Sequence, residues 1–222
     1  MTFPQPIGIP LADGLRWKAD PDWLFEEKKD GCRALLRQGV LWGRRTCYPL
    51  PGPLPPALSR VSVDGELCGA VFWAFDILED ASQDFRRVPL WGRRKALDEL
   101  AAVLPAWIVV LPFSRADGSE LLEAVLARGG EGVVAKRISA PCGVDWYKAK
   151  RIETFDVTVC EVGDSSSVAI AYQGQPAGRV AVFNLQAWDL IRVGSVIEIA
   201  AHSRTKTGKF REPRFVRVRT DK

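Results

Sequence analysis

The sequence predicts an α+β chain: a mixed domain of strands and helices over residues 1–152, then a small all-β domain over residues 153–222. Three observations carry this. Two segments, VPLWGRRKALDELAAVL and SELLEAVLARGG, have helical apolar spacing. Short strand-like runs surround them. From Arg151 onward the texture becomes β throughout, with five strand candidates in about seventy residues, the spacing of a small barrel.

The elements follow in order. WLFEE reads as a strand that runs into KKDG, and CRALLR and VLWGR read as strands beyond it. Asp30-Gly31 has the composition of a tight hairpin turn. YPLPGPLPPALS is a proline-rich loop. VSVDGELCG and AVFWAFDIL read as adjacent strands, with Asp64-Gly65 as the punctuation. A helix begins near Leu90, WIVVLPF is a short buried strand, and the second helix is closed by Gly129-Gly130. EGVVAKR and DWYKAK return to strand. FDVTVCEV, VAIAYQ, GRVAVFN, SVIEIAA and RFVRVR then make up a barrel of OB type.

Composition narrows the class of protein. With 222 residues, 47% apolar and 26% charged, the chain is long enough for a sizeable core, and disorder or a coiled coil is excluded as its main architecture. No apolar run approaches the ~18 residues of a membrane helix, and the first residues lack the basic and apolar regions of a signal peptide. A cytoplasmic protein that does not enter a membrane is expected. The five cysteines lack metal-type spacing, and with His202 as the lone histidine a zinc site or a Ser-His-Asp triad is hard to assemble. The net charge of +4 is uneven. Residues 151–222 hold 11 Lys and Arg against 8 Asp and Glu, whereas residues 1–150 hold 20 against 19. The alternation in PRFVRVR gives one cationic strand face, suited to a polyanion such as DNA or a nucleoside triphosphate.

The chemistry concentrates at Lys28-Lys29-Asp30-Gly31-Cys32-Arg33. A lysine beside other cations at a tight turn loses its proton more readily, and a neutral amine is a nucleophile. An exposed hairpin with ordinary surface charges is the plain alternative. Charged residues also interrupt apolar strands: Glu66, Glu131, Lys148 and Lys150. Singly, each is an ordinary edge-strand charge. Together they say more, because Lys148 and Lys150 share a strand face that an anion such as phosphate would satisfy. Two carboxylates near a phosphate would in turn attract Mg²⁺.

These segments resemble, in order, the motifs of ATP-dependent DNA ligases of the covalent nucleotidyltransferase superfamily. FEEKKDGCR resembles the nucleophile motif, LWGRR the next through Arg44, VDGEL the third and VFWAFDIL the aromatic one. VPLWGRRKAL resembles a characteristic helix start, EGVVAK and DWYKAK resemble the fourth and fifth motifs, and RFVRVRTDK ends in R-x-D-K like the sixth. The overall flavour is similar to small bacterial or phage ligases and to the ligase modules of end-joining enzymes. The resemblance implies a nucleotidyltransferase domain of ATP-grasp-like antiparallel sheets with helices, followed by an OB-type barrel. It implies ATP as AMP donor, Mg²⁺ or Mn²⁺, and nicked double-stranded DNA as the partner of a monomer.

Residue roles come with the resemblance. Lys28 would take AMP from the ATP α-phosphate. Glu26 would face the adenine amino group, and Phe75 would offer a stacking face. Arg33 and Arg44 would contact ribose and later the nick phosphate. Glu66 and Glu131 would bind ribose hydroxyl or metal. Lys136, Lys148 and Lys150 would neutralise charge on the α-phosphate. Arg219 and Lys222, from the second domain, would orient pyrophosphate, which implies a hinge near 151–154. AMP would then pass to a DNA 5′-phosphate, and a 3′-hydroxyl would displace it. Positioning and metal electrostatics carry such transfers.

The chain departs from the pattern in several places. The nucleophile motif starts at residue 26, so the helical DNA-binding domain of larger relatives is not expected before it. QGQPAG is too short for a DNA-encircling latch. Cys142 stands where relatives place an arginine, and Arg45 and Thr46 replace the usual Asn-Gly. A small DNA footprint is the consequence expected. An RNA ligase or a capping-type guanylyltransferase shares the lysine turn. NAD-dependent ligases are much longer. A non-catalytic OB-type nucleic-acid binder is the alternative from another class.

Overall fold

The computed structural model describes residues 7–9, 21–116, 118–150, 152–163 and 166–221, which fall into two compact units, 1–150 and 151–222. In the first unit the elements are β1 (Ile7–Ile9), β2 (Trp23–Glu27), β3 (Cys32–Arg37), β4 (Val40–Trp42), β5 (Cys47–Tyr48), β6 (Ser62–Cys68) and β7 (Val71–Glu79), then α1 (Leu90–Leu100), β8 (Ile108–Val110), β9 (Phe113–Ser114), α2 (Gly118–Ala127), β10 (Gly132–Arg137) and β11 (Trp146–Lys150). They form two sheets, ordered β1-β11-β10-β2-β9 and β5-β4-β3-β6-β7-β8.

Period-2 alternation gives each sheet one apolar and one polar face. On the first sheet, Trp23, Phe25, Val133, Ala135 and Ala149 pack with Leu122 and Val125 of α2. The intervening residues, Glu26, Lys136, Trp146, Lys148 and Lys150, therefore share the other face. On the second sheet, Ala34, Leu36, Val63, Phe72, Ala74 and Ile77 form a core with Leu97 of α1. Arg33, Asp64, Glu66, Trp73 and Asp76 alternate with that core.

Two turn assignments change. Asp30-Gly31 is not a hairpin turn: β2 is already paired on both edges, by β10 and β9, so the chain crosses to the second sheet and β3 pairs with β4 and β6. Gly31 is needed there, because a Cβ would collide with the Leu67 carbonyl and Cys68 Sγ. Asp64-Gly65 lies inside β6. Opposite it β7 bulges, Asp64 pairing with Asp76 and Gly65 with Ala74, so that Phe75 is the extra residue. A Cβ on residue 65 would stand 2.5 Å from the Phe72 ring. The reversal comes later, at Gly69, whose φ is +60°.

The second unit contains β12 (Glu153–Val162), β13 (Ser167–Tyr172), β14 (Gln175–Ala181), α3 (Leu185–Trp188), β15 (Val196–Ala201), β16 (Ser203–Arg204), β17 (Phe210–Arg211) and β18 (Arg214–Val218). The five strands expected from sequence form one sheet, β14-β13-β12-β15-β18, and β16 and β17 make a separate ribbon. Register shifts in the β12–β13, β13–β14 and β15–β18 ladders mark bulges, which bend strands. The edge strands β14 and β18 come near one another. No ladder joins them among the described residues, so where a small barrel of OB type was expected the described strands form an open sheet over an apolar core that includes Val157, Ile170, Ile197 and Phe210. Among the described residues no helix is long and apolar enough to cross a membrane.

Candidate active site

The site lies in the first unit, where the polar faces of the two sheets meet at the crossing between β2 and β3. Lys28 follows β2 directly. Its backbone N–H donates to the Gly132 carbonyl at 2.9 Å, and its Nζ lies 2.6 Å from Glu131 Oε2. The other oxygen of Glu131 lies 2.6 Å from Lys150 Nζ. One carboxylate thus bridges two ammonium groups that are 103 and 19 residues from it in sequence. The side chains of Lys28, Glu131 and Lys150 are 20%, 17% and 12% exposed, dry enough to strengthen the attraction and open enough for a ligand to reach.

Glu66 approaches the same turn from β6, accepting the Gly31 N–H at 3.2 Å. Burial raises its pKa. Lys28, Arg33 and the Gly31 N–H oppose the rise, and the like charge of Glu131 adds to it. Glu66 and Glu131 are therefore carboxylates that feel one another, the donor chemistry Mg²⁺ takes when phosphate oxygens and water complete its shell. No cluster of three or more His, Cys, Asp or Glu able to hold a metal occurs among the described residues. The pair fits a cation shared with a phosphate, not a cage made by protein alone.

A second, buried charge cluster lies along the same face. Glu26 is 1% exposed and Lys136 2%. Lys136 Nζ is 2.6 Å from Glu26 Oε2, and Arg94, on α1, donates to Glu26 Oε1 at 3.3 Å and to the Leu111 carbonyl at 2.7 Å. Burial lowers the Lys136 pKa, with Glu26 pulling it back. Lys136 was expected among the α-phosphate contacts. The structure instead commits its ammonium to Glu26, because β10 places it four residues beyond Gly132, about 13 Å along the strand at ~3.3 Å per residue.

Phe75 belongs to this cluster. It is 8% exposed, packed with Leu111 and Trp146, with Lys136 Nζ 4.4 Å and the Arg33 guanidinium 4.6 Å from its ring centroid. Arg33 makes a two-pronged pair with the fully buried Asp64, at 2.6 Å and 2.6 Å. Burial works against the charge on Arg33, yet Asp64 more than offsets it and the pKa is raised. Lys148 lies on β11 between Trp146 and Lys150, half-buried, and Arg44 is exposed on the turn after β4. Cys142 is a thiol pushed up to about 12 by burial and the nearby Asp76, so it stays neutral.

Arg219 is in the second unit. Its guanidinium donates to both oxygens of Asp156, at 2.7 and 2.8 Å, and to both oxygens of Asp221, at 2.8 and 2.7 Å. The hydrogen bonds to Asp221, then the charge of Asp156, hold its pKa above the ordinary arginine range. Lys222 lies outside the described residues.

Sequence reasoning missed Asp64, Arg94, Trp146 and Asp156. Asp64 was legible only as turn chemistry. Arg94 gave a signal, as the second arginine of VPLWGRRKAL, but nothing in the sequence says that it reaches Glu26. Trp146 precedes the two lysines by the alternation that puts it on their face.

No family model matches the chain. A probable DNA ligase of Mycobacterium marinum is 35% identical over 123 residues, covering 52% of this chain and 22% of that protein. A probable DNA ligase of Anaeromyxobacter is 38% identical over 93 residues, 38% of this chain and 17% of the relative. The alignments thus span about a fifth of these relatives' lengths. Among solved structures, a Lig E DNA ligase described as binding DNA with a minimal scaffold superposes with a TM-score of 0.76 at 21% identity, over 99% of both chains. The ligase domain of Mycobacterium tuberculosis LigD gives a TM-score of 0.56 at 21% identity, over 98% of this chain and 95% of that one. The resemblance to ATP-dependent DNA ligases drawn from the motifs is borne out by these matches, and the fold is that of the ligase structures.

Proposed function

We propose that the chain is an ATP-dependent DNA ligase that seals nicks in duplex DNA through a lysyl-AMP intermediate. The observation that carries this is the Lys28–Glu131–Lys150 bridge at the crossing between the two sheets. It holds a nucleophile, a proton acceptor and a cation for phosphate within one partly enclosed site. Lys28 Nζ forms a bond to the ATP α-phosphorus as the bond to pyrophosphate breaks. The ammonium gives up a proton first, and Glu131 Oε2, at 2.6 Å, is the acceptor within reach. Lys150, with Lys148 on the same face, meets charge that develops on the phosphate. Glu66 and Glu131 would hold Mg²⁺ or Mn²⁺, which supplies charge neutralisation at the phosphates. Glu26, held by Lys136 and Arg94, accepts from the adenine amine. Phe75 serves as a stacking face once Arg33 leaves it, and Arg33 and Arg44 go on to contact ribose and the nick phosphate.

The second unit reads as the OB-type domain, an open sheet whose basic last strand suits a phosphate backbone. Arg219 would orient pyrophosphate, together with Lys222, after a hinge motion near 151–154, and would have to exchange Asp156 or Asp221 for the phosphate. The protein would act as a monomer in the cytoplasm on nicked double-stranded DNA.

The test is incubation with α-labelled ATP and Mg²⁺, followed by mass spectrometry. The expected result is one AMP on Lys28, lost in Lys28→Ala and discharged by nicked DNA with formation of a sealed strand. An unlabelled wild-type protein, or an adduct that persists in Lys28→Ala, refutes the assignment. Running GTP beside ATP and nicked RNA beside nicked DNA separates ligation of DNA from the neighbouring nucleotidyltransferase activities.

A further inference from the structure

Trp146 is 2% exposed, and its indole N–H has no hydrogen-bond partner among the described residues. A buried donor left unpaired costs about 1–3 kcal/mol, so such a group calls for an explanation. Its surroundings supply one. Trp146 stands opposite Lys136 in the β10–β11 register and shares a strand face with Lys148 and Lys150. Its ring meets that of Phe75 edge-on, with centroids 6.2 Å apart and planes at 80°. Lys136 Nζ lies 4.3 Å from its centroid. Four residues separate it from Lys150, about 13 Å at ~3.3 Å per residue. The face therefore has a phosphate end, at Lys150 and Glu131, and an aromatic end, where Trp146 and Phe75 adjoin the buried Glu26–Lys136 pair.

We infer that Trp146 is a specificity-determining residue for the purine: its N–H donates to the ring nitrogen that neighbours the exocyclic amine of adenine, while Glu26 accepts from that amine. The inference rests on the reading of this site as one that binds ATP. Adenine presents a donor amine beside an acceptor ring nitrogen, whereas guanine places a carbonyl oxygen where the amine would be. The Glu26 carboxylate and the Trp146 indole, which both adjoin the Lys136 ammonium, supply an acceptor and a donor that match the first pattern, and guanine would set its oxygen against Glu26. Glu26 keeps lone pairs to spare after bonding Lys136 and Arg94, since a carboxylate offers about four acceptor sites. Lys136 and Arg33 both lie over these rings, Lys136 Nζ 4.4 and 4.3 Å from the Phe75 and Trp146 centroids, so the purine would have to displace the Arg33 guanidinium from its place beside them. Arg33 is 12% exposed and lies 4.6 Å and 5.8 Å from the Phe75 and Trp146 centroids.

Trp146→Phe keeps a ring and deletes the donor. The expected result is a rise of about five- to tenfold in the KM for ATP in Lys28 adenylylation, the worth of one neutral hydrogen bond, with kcat within about twofold. The melting temperature should fall only modestly, because relief of the unpaired donor offsets part of the cavity that the smaller ring leaves among Phe75 and Leu111. Wild-type protein should show the same loss with either 1-deaza-ATP or 7-deaza-ATP, whichever lacks the nitrogen that is read. That analogue should cost Trp146→Phe nothing further. The inference is overturned if Trp146→Phe leaves KM unchanged, or if wild-type protein uses both analogues as well as ATP. The last comparison needs no variant to fold. A wild-type chain that binds no ATP defeats the functional reading as well, whereas one that adenylylates but fails these comparisons defeats this inference alone.

Discussion

Replacing Lys136 by methionine removes the ammonium that lies 2.6 Å from Glu26 Oε2, where both side chains are 2% exposed. At an effective dielectric of about 20, the Coulomb attraction at that distance is about 6 kcal/mol, a gross figure that desolvation of both groups largely offsets. The cost of removing one partner is a different quantity, because Glu26 is then a buried charge held by Arg94 at 3.3 Å. Breaking a buried pair in this way costs about 3–5 kcal/mol. For a protein of this size it lowers the melting temperature by roughly 6–20 °C. The methionine fills the space of the lysine stem, so cavity formation adds little. The assay is thermal and urea unfolding followed by circular dichroism, with Glu26→Leu and the double variant Glu26→Leu/Lys136→Met alongside. The double variant, which buries two apolar groups in place of two charges, should recover part of the loss, because Arg94 then keeps the Leu111 carbonyl but not Glu26. A Lys136→Met protein within about 1 kcal/mol of wild type would refute the account of this cluster as an enclosed charge pair. So would a double variant less stable than either single one.

Other outcomes follow from the same geometry. Glu131→Gln leaves Lys28 and Lys150 without the carboxylate that bridges them and Lys28 without its proton acceptor, and should lower the rate of lysyl-AMP formation at least ~100-fold, as read by single-turnover labelling. Glu66→Gln tests a pH dependence. Burial raises the folded pKa of Glu66 above its ordinary 4.5, so the folded state holds its proton longer than the unfolded chain, and wild-type stability declines as pH rises from about 4.5 through the raised value. Urea midpoints measured across that interval should show Glu66→Gln gaining on wild type as pH increases, and parallel curves would contradict the shift. On the proposed reading, nick binding measured by fluorescence anisotropy should weaken at least ~10-fold between 50 and 200 mM salt, the behaviour of binding carried by phosphate contacts.

Much of the fold was legible because it rests on local pattern. The helix at Leu90–Leu100, the strands β10 and β11 and the five strands of the second sheet follow from periodicity and flanking turn residues. Reading Asp30-Gly31 as a hairpin failed for a non-local reason: whether a strand has a free edge depends on partners far along the chain, and β2 is flanked by β10 and β9. Asp64-Gly65 failed similarly, since the glycine serves the approach of the Phe72 ring across β7 and not a reversal. Barrel closure was not legible either, because it depends on whether β14 and β18 form a ladder, and strand count does not decide that.

By itself the sequence determined which residues carry charge into apolar strands, and alternation put Lys148 and Lys150 on one face. Ion-pair partners were the business of the tertiary structure. Side chains separated by 103 residues, as Lys28 and Glu131 are, or by 110, as Glu26 and Lys136 are, meet only when two β-strands adopt a particular register. A one-residue slip would turn every one of them to the opposite face. Burial likewise is a property of the packed unit, and it divides these charges into a partly open cluster around Lys28 and an enclosed one around Glu26.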